Sequence, residues 1–243
     1  MNTAHIYWLL QSARDVPGDD DWLSPGELDR VSSLAFPKRR AEWRLGRWTA
    51  KRAVSAYLSG GGLPTGMQDL EIRAAADGAP ETFVKGEAYP VSISISHSSG
   101  FSLCAVAAHE LAIGCDLEAV EPRSLEFLAD YLASDERKLL TRVAPADIPL
   151  FATVIWCAKE SALKVVRQGL RRDTRSMVVR LNPTSPESGW KPLTIRCAES
   201  SIGYPGWWQP LGEFVLAVSA DAATAKPVGL HLPESFSSQR EGR

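Results

Sequence analysis

Val91-Ser92-Ile93-Ser94-Ile95-Ser96 alternates apolar and hydroxyl side chains without a break. A period of two belongs to a strand with one buried face, so Val91, Ile93 and Ile95 are expected on a core. His97-Ser98-Ser99-Gly100 follows as a tight turn, residues 101–108 return as a second strand, and residues 111–118 make a third. That succession predicts an antiparallel meander with the turn at His97 exposed at one edge.

The flanking sequence predicts the other layers. Residues 6–11 read as a first short strand and residues 15–25, rich in Asp, Gly and Pro, as a loop. Good helix formers without proline predict a helix over 38–58, stopped by Gly60-Gly61-Gly62, with Leu45, Trp48 and Ala53 on its apolar surface. Arg40, Arg44, Arg47 and Lys51 recur on it at helical spacing. Such a stripe is either a solvated face or, having no acid in it, a face that suits phosphates. Residues 70–73 read as a strand and 76–90 as turns. Beyond Pro122 helices are expected over 125–132, over 135–142 with Ser134 as N-cap, and from Asp147 and Pro149 to about residue 168, before Gly169. Strands are expected over 176–181, 193–198 and 213–219, with Tyr204-Pro205-Gly206-Trp207-Trp208 as a loop packed on that half.

Each half thus offers a long helix followed by about three strands. The expected fold is α+β, a pseudo-dimer of two similar halves, each a long helix packed on a small, mainly antiparallel sheet. The halves are drawn at residues 1–110 and 111–224, with a flexible tail over 225–243. At 243 residues there is length enough for both cores. A net charge of −2 excludes a general affinity for nucleic acid or membranes, so any basic site must be local. Cys104, Cys115, Cys157 and Cys197 form no Cys-x-x-Cys pair and have apolar neighbours, as buried thiols in a reducing compartment do. The apolar run over 6–10 is too short for a signal or membrane span, and a cytoplasmic location is expected.

Two stretches carry candidate chemistry. In Gly114-Cys115-Asp116-Leu117-Glu118 an extended strand puts both carboxylates on one face and Cys115 and Leu117 on the other. Same-face carboxylates repel unless a cation lies between them, so the pair is either a metal or acid/base site or an exposed strand end with solvated acids. In Trp156-Cys157-Ala158-Lys159-Glu160-Ser161-Ala162-Leu163-Lys164, Trp156, Glu160 and Lys164 share one helix face. Read separately, Glu160 and Lys164 are also a plain surface pair. Read together, three carboxylates could hold Mg²⁺, a hard cation that shares oxygen ligands with phosphate, while Lys164 and the basic helix neutralise phosphate charge. His97 reads equally as a turn residue or a ligand. There is no Walker loop, no Gly-x-Gly-x-x-Gly, and no grouping of the four histidines at zinc spacing.

Ser94-Ile95-Ser96-His97, Gly114-Cys115-Asp116-Leu117-Glu118 and Trp156 to Lys164 resemble, in order and approximate spacing, the motifs of the 4′-phosphopantetheinyl transferases, with Gly46-Arg47 similar to that family's Gly-Arg motif. The likeness is to the larger, monomeric type that activates peptide and polyketide synthases. It implies transfer of phosphopantetheine from coenzyme A to a serine of an apo acyl or peptidyl carrier protein, with adenosine 3′,5′-bisphosphate released. It also implies Asp116, Glu118 and Glu160 as ligands of Mg²⁺, or Mn²⁺. His97 and Ser96 would lie at the pyrophosphate, Arg47 with Arg39 or Arg40 at the 3′-phosphate and adenine end, and Lys164 on phosphate. Glu160, directly or through a metal-bound water, would be the base, and Trp156 would serve packing. Where many relatives have Gly-Lys-Pro this chain has Gly78-Ala79-Pro80, leaving Lys85 or an arginine to supply the cation. The alternative is a non-catalytic CoA-binding protein of the same fold.

Overall fold

The alternating segment is a strand, and the chain on either side supplies the layers that bury it. The computed structural model describes residues 3–58, 66–167, 172–182, 189–200 and 202–230. Its first elements are β1 (Tyr7–Ser12), α1 (Pro25–Ser32), α2 (Pro37–Leu58), β2 (Leu70–Ala74), β3 (Pro80–Val84), β4 (Glu87–Ala88), β5 (Val91–Ser98) and β6 (Phe101–Ala108). Then come β7 (Ile113–Ala119), α3 (Leu125–Tyr131), α4 (Ser134–Leu140), α5 (Ile148–Val165), β8 (Met177–Leu181), β9 (Lys191–Cys197), β10 (Gly203–Leu211), β11 (Phe214–Ala220) and β12 (Val228–Gly229). Three sheets result, ordered β12-β1-β6-β5, β7-β11-β10-β9-β8 and β2-β3-β4. The fold is α+β.

Apolar side chains on both faces of β6 explain the layering. Cys104 and Val106 meet Ala50, Ala53 and Val54 of α2. Leu103, Ala105 and Ala107 point the other way, against Leu117 of β7 and Leu216 of β11. On the far side of the second sheet, Phe151, Ile155 and Leu163 of α5 bury themselves with Ile195, Trp208 and Val215. The order is helix, sheet, sheet, helix, each fully buried large side chain contributing about 1.5–3 kcal/mol of transfer free energy.

Several expectations are corrected. The meander breaks after β6: β7 pairs with β11, Asp116 opposite Ala217, while β1 takes the free edge of β6, Leu9 opposite Cys104. An apolar central strand needs a partner on each edge, and neighbours in sequence are not obliged to supply both. His97 is a strand residue; the turn is made by Ser99 and Gly100, with φ of 47° and 80°. Residues 76–90 hold β3 and β4. The expected loop at Tyr204 to Trp208 is β10, a central strand between β11 and β9, where a Cβ on Gly206 would lie 2.5 Å from Val218 O. Proline and glycine gave that segment a turn's composition, whereas the glycine admits a neighbouring carbonyl. Ala133, not Ser134, caps α4, its N–H bonded to Glu136 Oε2 at 2.7 Å. Residues 225–230, the start of the tail expected to be mobile, are hydrogen-bonded along β1 and the residues before it: Ala225 N to Ala4 O, Val228 N to Ile6 O and Leu230 N to Trp8 O, while residues 231–243 lie outside the described residues. Main-chain pairing of an exposed edge leaves no apolar signature in the sequence. The expected stops at Gly60 to Gly62 and Gly169 lie outside the described residues.

The two halves repeat one device. Trp48-Thr49-Ala50-Lys51 in α2 and Trp156-Cys157-Ala158-Lys159 in α5 each place a fully buried lysine. Lys51 Nζ pairs with Glu27 Oε2 at 2.5 Å and donates to Trp22 O and Met67 O at 2.8 and 3.1 Å. Lys159 Nζ pairs with Glu136 Oε2 and donates to Thr174 O and Met177 O, all at 2.8 Å. Glu27 Oε1 accepts from Ile72 N on β2, and Glu136 Oε1 from Val179 N on β8. In each half a three-way tie therefore fixes a short helix, a long helix and the first strand after it. Burial holds both lysines below the ordinary lysine range and Glu136 above the ordinary carboxylate range. The basic stripe on α2 is divided accordingly: Arg40 is exposed, Arg44 is bound to Pro17 O, Asp19 O and Asp20, and Lys51 is internal.

Candidate functional site

The seam between the large sheets is where β5 and β7 meet without a ladder. Cys115 N donates to Ser94 Oγ at 2.9 Å and the Cys115 thiol to Ser94 O at 3.1 Å, so the serine face of β5 locks onto β7. Gly114 admits α5 to the other face: a Cβ there would fall 1.9 Å from Ser161 O and 3.0 Å from Lys164 Cβ. With Gly114 pressed on α5, Asp116 and Glu118 follow on that face by strand alternation. Asp116 is buried, and its Oδ1 accepts from Ser96 Oγ at 2.7 Å and from Lys164 Nζ at 2.9 Å. Lys164 also donates to Cys115 O at 2.8 Å. Glu118 is held by the Trp156 indole, Nε1 to Oε1 at 2.9 Å, and by Arg123, Nη2 to Oε2 at 3.3 Å. Trp156 stands edge-on to Phe127 and Tyr131 of α3, with ring centroids 5.3 and 5.1 Å away.

The electrostatics are those of crowded acids. Burial, then the charges of Asp116 and Glu118, push the Glu160 carboxyl up to about 7 against the partial opposition of Lys164. Burial and Asp116 raise Glu118 as well, with Trp156 and Arg123 pulling the other way. Burial works against the Lys164 ammonium, but Asp116, Cys115 and Glu160 outweigh it and the group is held above its ordinary range. Asp116 Oδ2 and Glu160 Oε1 are buried without a hydrogen-bonded partner among the described residues. Two orphaned carboxylate oxygens beside a repelling third acid suit a hard divalent cation in donor type and charge. As placed, no group of three or more His, Cys, Asp or Glu among the described residues converges to hold a metal ion.

A cleft of about 1040 Å³ opens beside this cluster, between β3 and β5 on one side and the end of α5 on the other. Ser94, Tyr89, Lys164 and Arg167 line it, as does the Gly78-Ala79-Pro80 segment. Arg167 reaches Asp77 and Glu81, flanking that segment, at 3.6 and 3.7 Å. Among the described residues, Arg167, just past the end of α5, is thus a cation beside Gly78-Ala79-Pro80. Lys85, at φ 50°, sits in the turn before β4.

Of the residues singled out in the sequence, Ser96, Asp116 and Lys164 are in direct contact. Glu118 and Glu160 couple to them through charge. Lys164 pairs with Asp116 of β7, not along the helix with Glu160. His97, next to Ser96, is exposed and by alternation points to the opposite side of β5. Arg39 and Arg40 lie exposed in the first turns of α2. Arg47 is partly buried over the Trp43 ring at 5.0 Å, burial lowering its guanidinium from the ordinary value, with Glu27 opposing. It adjoins Gly46, whose missing Cβ would lie 3.7 Å from Ile95 of β5, so α2 meets β5 one residue from Ser96. Sequence reasoning missed Arg123, whose only signal was a basic side chain five residues past Glu118, and gave Trp156 to packing alone.

A sequence model of the 4′-phosphopantetheinyl transferase superfamily matches residues 112–218. The holo-[acyl-carrier-protein] synthase of Geobacillus kaustophilus is 33% identical over 104 residues, 42% of this chain and 78% of the relative. That of Lactococcus lactis subsp. lactis is 40% identical over 78 residues, 32% of this chain and 66% of the relative. The fatty acid synthase subunit alpha of Schizosaccharomyces pombe is 36% identical over 95 residues, 35% of this chain. The chain spans 5% of that subunit's length. Among solved structures, a Bacillus anthracis holo-(acyl-carrier-protein) synthase in complex with CoA (3′,5′-ADP) aligns at 23% identity and a TM-score of 0.37, covering 44% of this chain and 97% of that one. The chain belongs to the 4′-phosphopantetheinyl transferase superfamily.

Proposed function

We propose that this chain transfers the 4′-phosphopantetheine group of coenzyme A to a serine hydroxyl of an apo acyl or peptidyl carrier protein. The observation that carries the reading is the Ser96–Asp116–Lys164 contact beside Glu160, in a chain akin to holo-[acyl-carrier-protein] synthases. The serine oxygen bonds to the phosphorus that bears pantetheine, the bond to the bridging oxygen breaks, and adenosine 3′,5′-bisphosphate departs. Such a displacement depends on positioning and charge neutralisation. Mg²⁺ or Mn²⁺, when bound to Asp116, Glu118 and Glu160, supplies positive charge against the diphosphate. Lys164, kept charged by Asp116, faces the same phosphates. Glu160, directly or through a metal-bound water, accepts the serine proton. Ser96 holds Asp116 in place and Arg47 with Arg39 or Arg40 takes the 3′-phosphate, while His97, exposed on the side of β5 away from Ser96, has no place at the diphosphate in this reading. Arg167 serves where relatives use the lysine of Gly-Lys-Pro.

One chain supplies both sides of the seam, Ser96 from one sheet and Asp116 from the other, which supports a monomer acting alone. The repeat supports a division into halves between β6 and β7, close to 110/111. A cytoplasmic site of action agrees with the absence, among the described residues, of any helix long and apolar enough to cross a membrane.

The experiment is incubation with CoA, Mg²⁺ and several apo carrier proteins, followed by intact mass of the carrier. Addition of phosphopantetheine is expected, and Glu160→Gln should lower the rate at least about 100-fold with folding intact. No addition to any carrier, with CoA binding retained, would establish the non-catalytic alternative instead.

A further inference from the structure

Among the described residues, Arg123 is a second cation bonded to the carboxylate cluster besides Lys164, and the proposed chemistry leaves it without a task. It follows β7 in the connection to α3. Its guanidinium spends one nitrogen on Glu118, Nη2 to Oε2 at 3.3 Å, and lies over the Phe127 ring with Cζ 4.9 Å from the centroid. Phe127 in turn meets Trp156, the other group on Glu118. The side chain is only 19% exposed, and its Nε–H is buried with no acceptor among the described residues. A buried guanidinium N–H without an acceptor is costly, and one terminal nitrogen of the fork already meets a carboxylate. The planar fork matches phosphate oxygens, which a rim lysine would meet only as a point charge.

We propose that Arg123 is a further substrate-binding residue, donating to an oxygen of the CoA diphosphate from the side of the cluster opposite Lys164. The proposal rests on the transferase reading of the site. Phe127 fixes the plane of the guanidinium, and Glu118 holds it in position until the diphosphate arrives. Serine attack then takes place between two fixed cations, one on α5 and one past the end of β7.

Calorimetric titration with CoA tests this, run on wild type, Arg123→Met and Arg123→Lys in EDTA and again in Mg²⁺. Arg123→Met should weaken CoA binding about 10- to 100-fold in both conditions, the worth of a charge-assisted hydrogen bond. Binding of adenosine 3′-phosphate, which lacks the diphosphate, should change less than about twofold. Arg123→Lys should recover part of the loss, because the charge returns without the fork, and it serves the test should the methionine variant not fold. Equal CoA affinity in wild type and variant overturns the proposal and leaves the transferase reading standing. A loss confined to Mg²⁺ also overturns it, since Arg123 would then act only through Glu118. A wild-type protein that binds no CoA at all removes the transferase reading and this proposal with it.

Discussion

At the scale of residues, the site is defined by acids that lack enough partners. Glu160 and Asp116 each bury an oxygen that nothing among the described residues donates to, while Glu118 is restrained by an indole and a guanidinium. The physical consequence is a proton held by Glu160 up to a pH of about 7. The folded state then binds that proton more tightly than the unfolded chain, whose carboxyl titrates near 4.5. Stability is accordingly greatest below the unfolded value and declines as pH rises to about 7, by on the order of 1–3 kcal/mol. In EDTA the thermal midpoint should fall between pH 5 and pH 8 in wild type and fall less in Glu160→Gln. Mg²⁺ should raise the wild-type midpoint more at pH 8 than at pH 5. Identical pH profiles for the two proteins would contradict the assignment of the raised carboxyl.

At the scale of elements, the site depends on how closely β7 approaches α5. Gly114 is the point of contact, and a methyl group there would overlap the main-chain carbonyl of Ser161. A helix backbone cannot yield as a side-chain tip can, so Gly114→Ala should destabilise by about 3 kcal/mol or more. It should also displace Asp116 from Lys164 and, on the proposed transferase reading, remove phosphopantetheine transfer. Gly18→Ala, with nothing within 4 Å, is the control expected to be silent. Urea denaturation measures both, and a Gly114→Ala variant as stable as wild type would refute the close approach.

This contact also shows what the sequence could and could not say. Alternation at 114–118 correctly placed Asp116 and Glu118 on one face and Cys115 and Leu117 on the other. It said nothing about which strand would lie alongside, and β7 left its neighbour β6 for β11. Helix α1 was missed although Ser24 and Glu27 form a capping box, Glu27 N to Ser24 Oγ at 3.2 Å and Ser24 N to Glu27 Oε2 at 3.0 Å. That signal was present in the chain; the surrounding Asp, Gly and Pro obscured it.

At the scale of the whole molecule, the buried Lys51–Glu27 and Lys159–Glu136 ties are the repeat that residue-by-residue reading overlooked. Each joins three elements, and removing one partner leaves a buried charge alone. Lys51→Met and Lys159→Met should each cost about 3–5 kcal/mol. The double variants Glu27→Gln with Lys51→Met, and Glu136→Gln with Lys159→Met, should recover part of that. Equilibrium unfolding of the four proteins checks this, and a cost below about 1 kcal/mol for the single variants would mean that the pairs do not hold the halves together.

The sequence by itself determined the helices and strands that bear the candidate chemistry, the face each acid occupies, and the recurrence of a long helix before each group of strands. These follow from periodicity and local backbone preference, which are written in neighbouring residues. The tertiary structure alone decided that Lys51 is internal, that β12 closes the edge of β1, and that β10 is a central strand. It alone set Arg123 on Glu118 and Arg167 beside Gly78-Ala79-Pro80. Each of those depends on which distant groups are brought within a few ångströms, where burial and charge act between residues far apart along the chain.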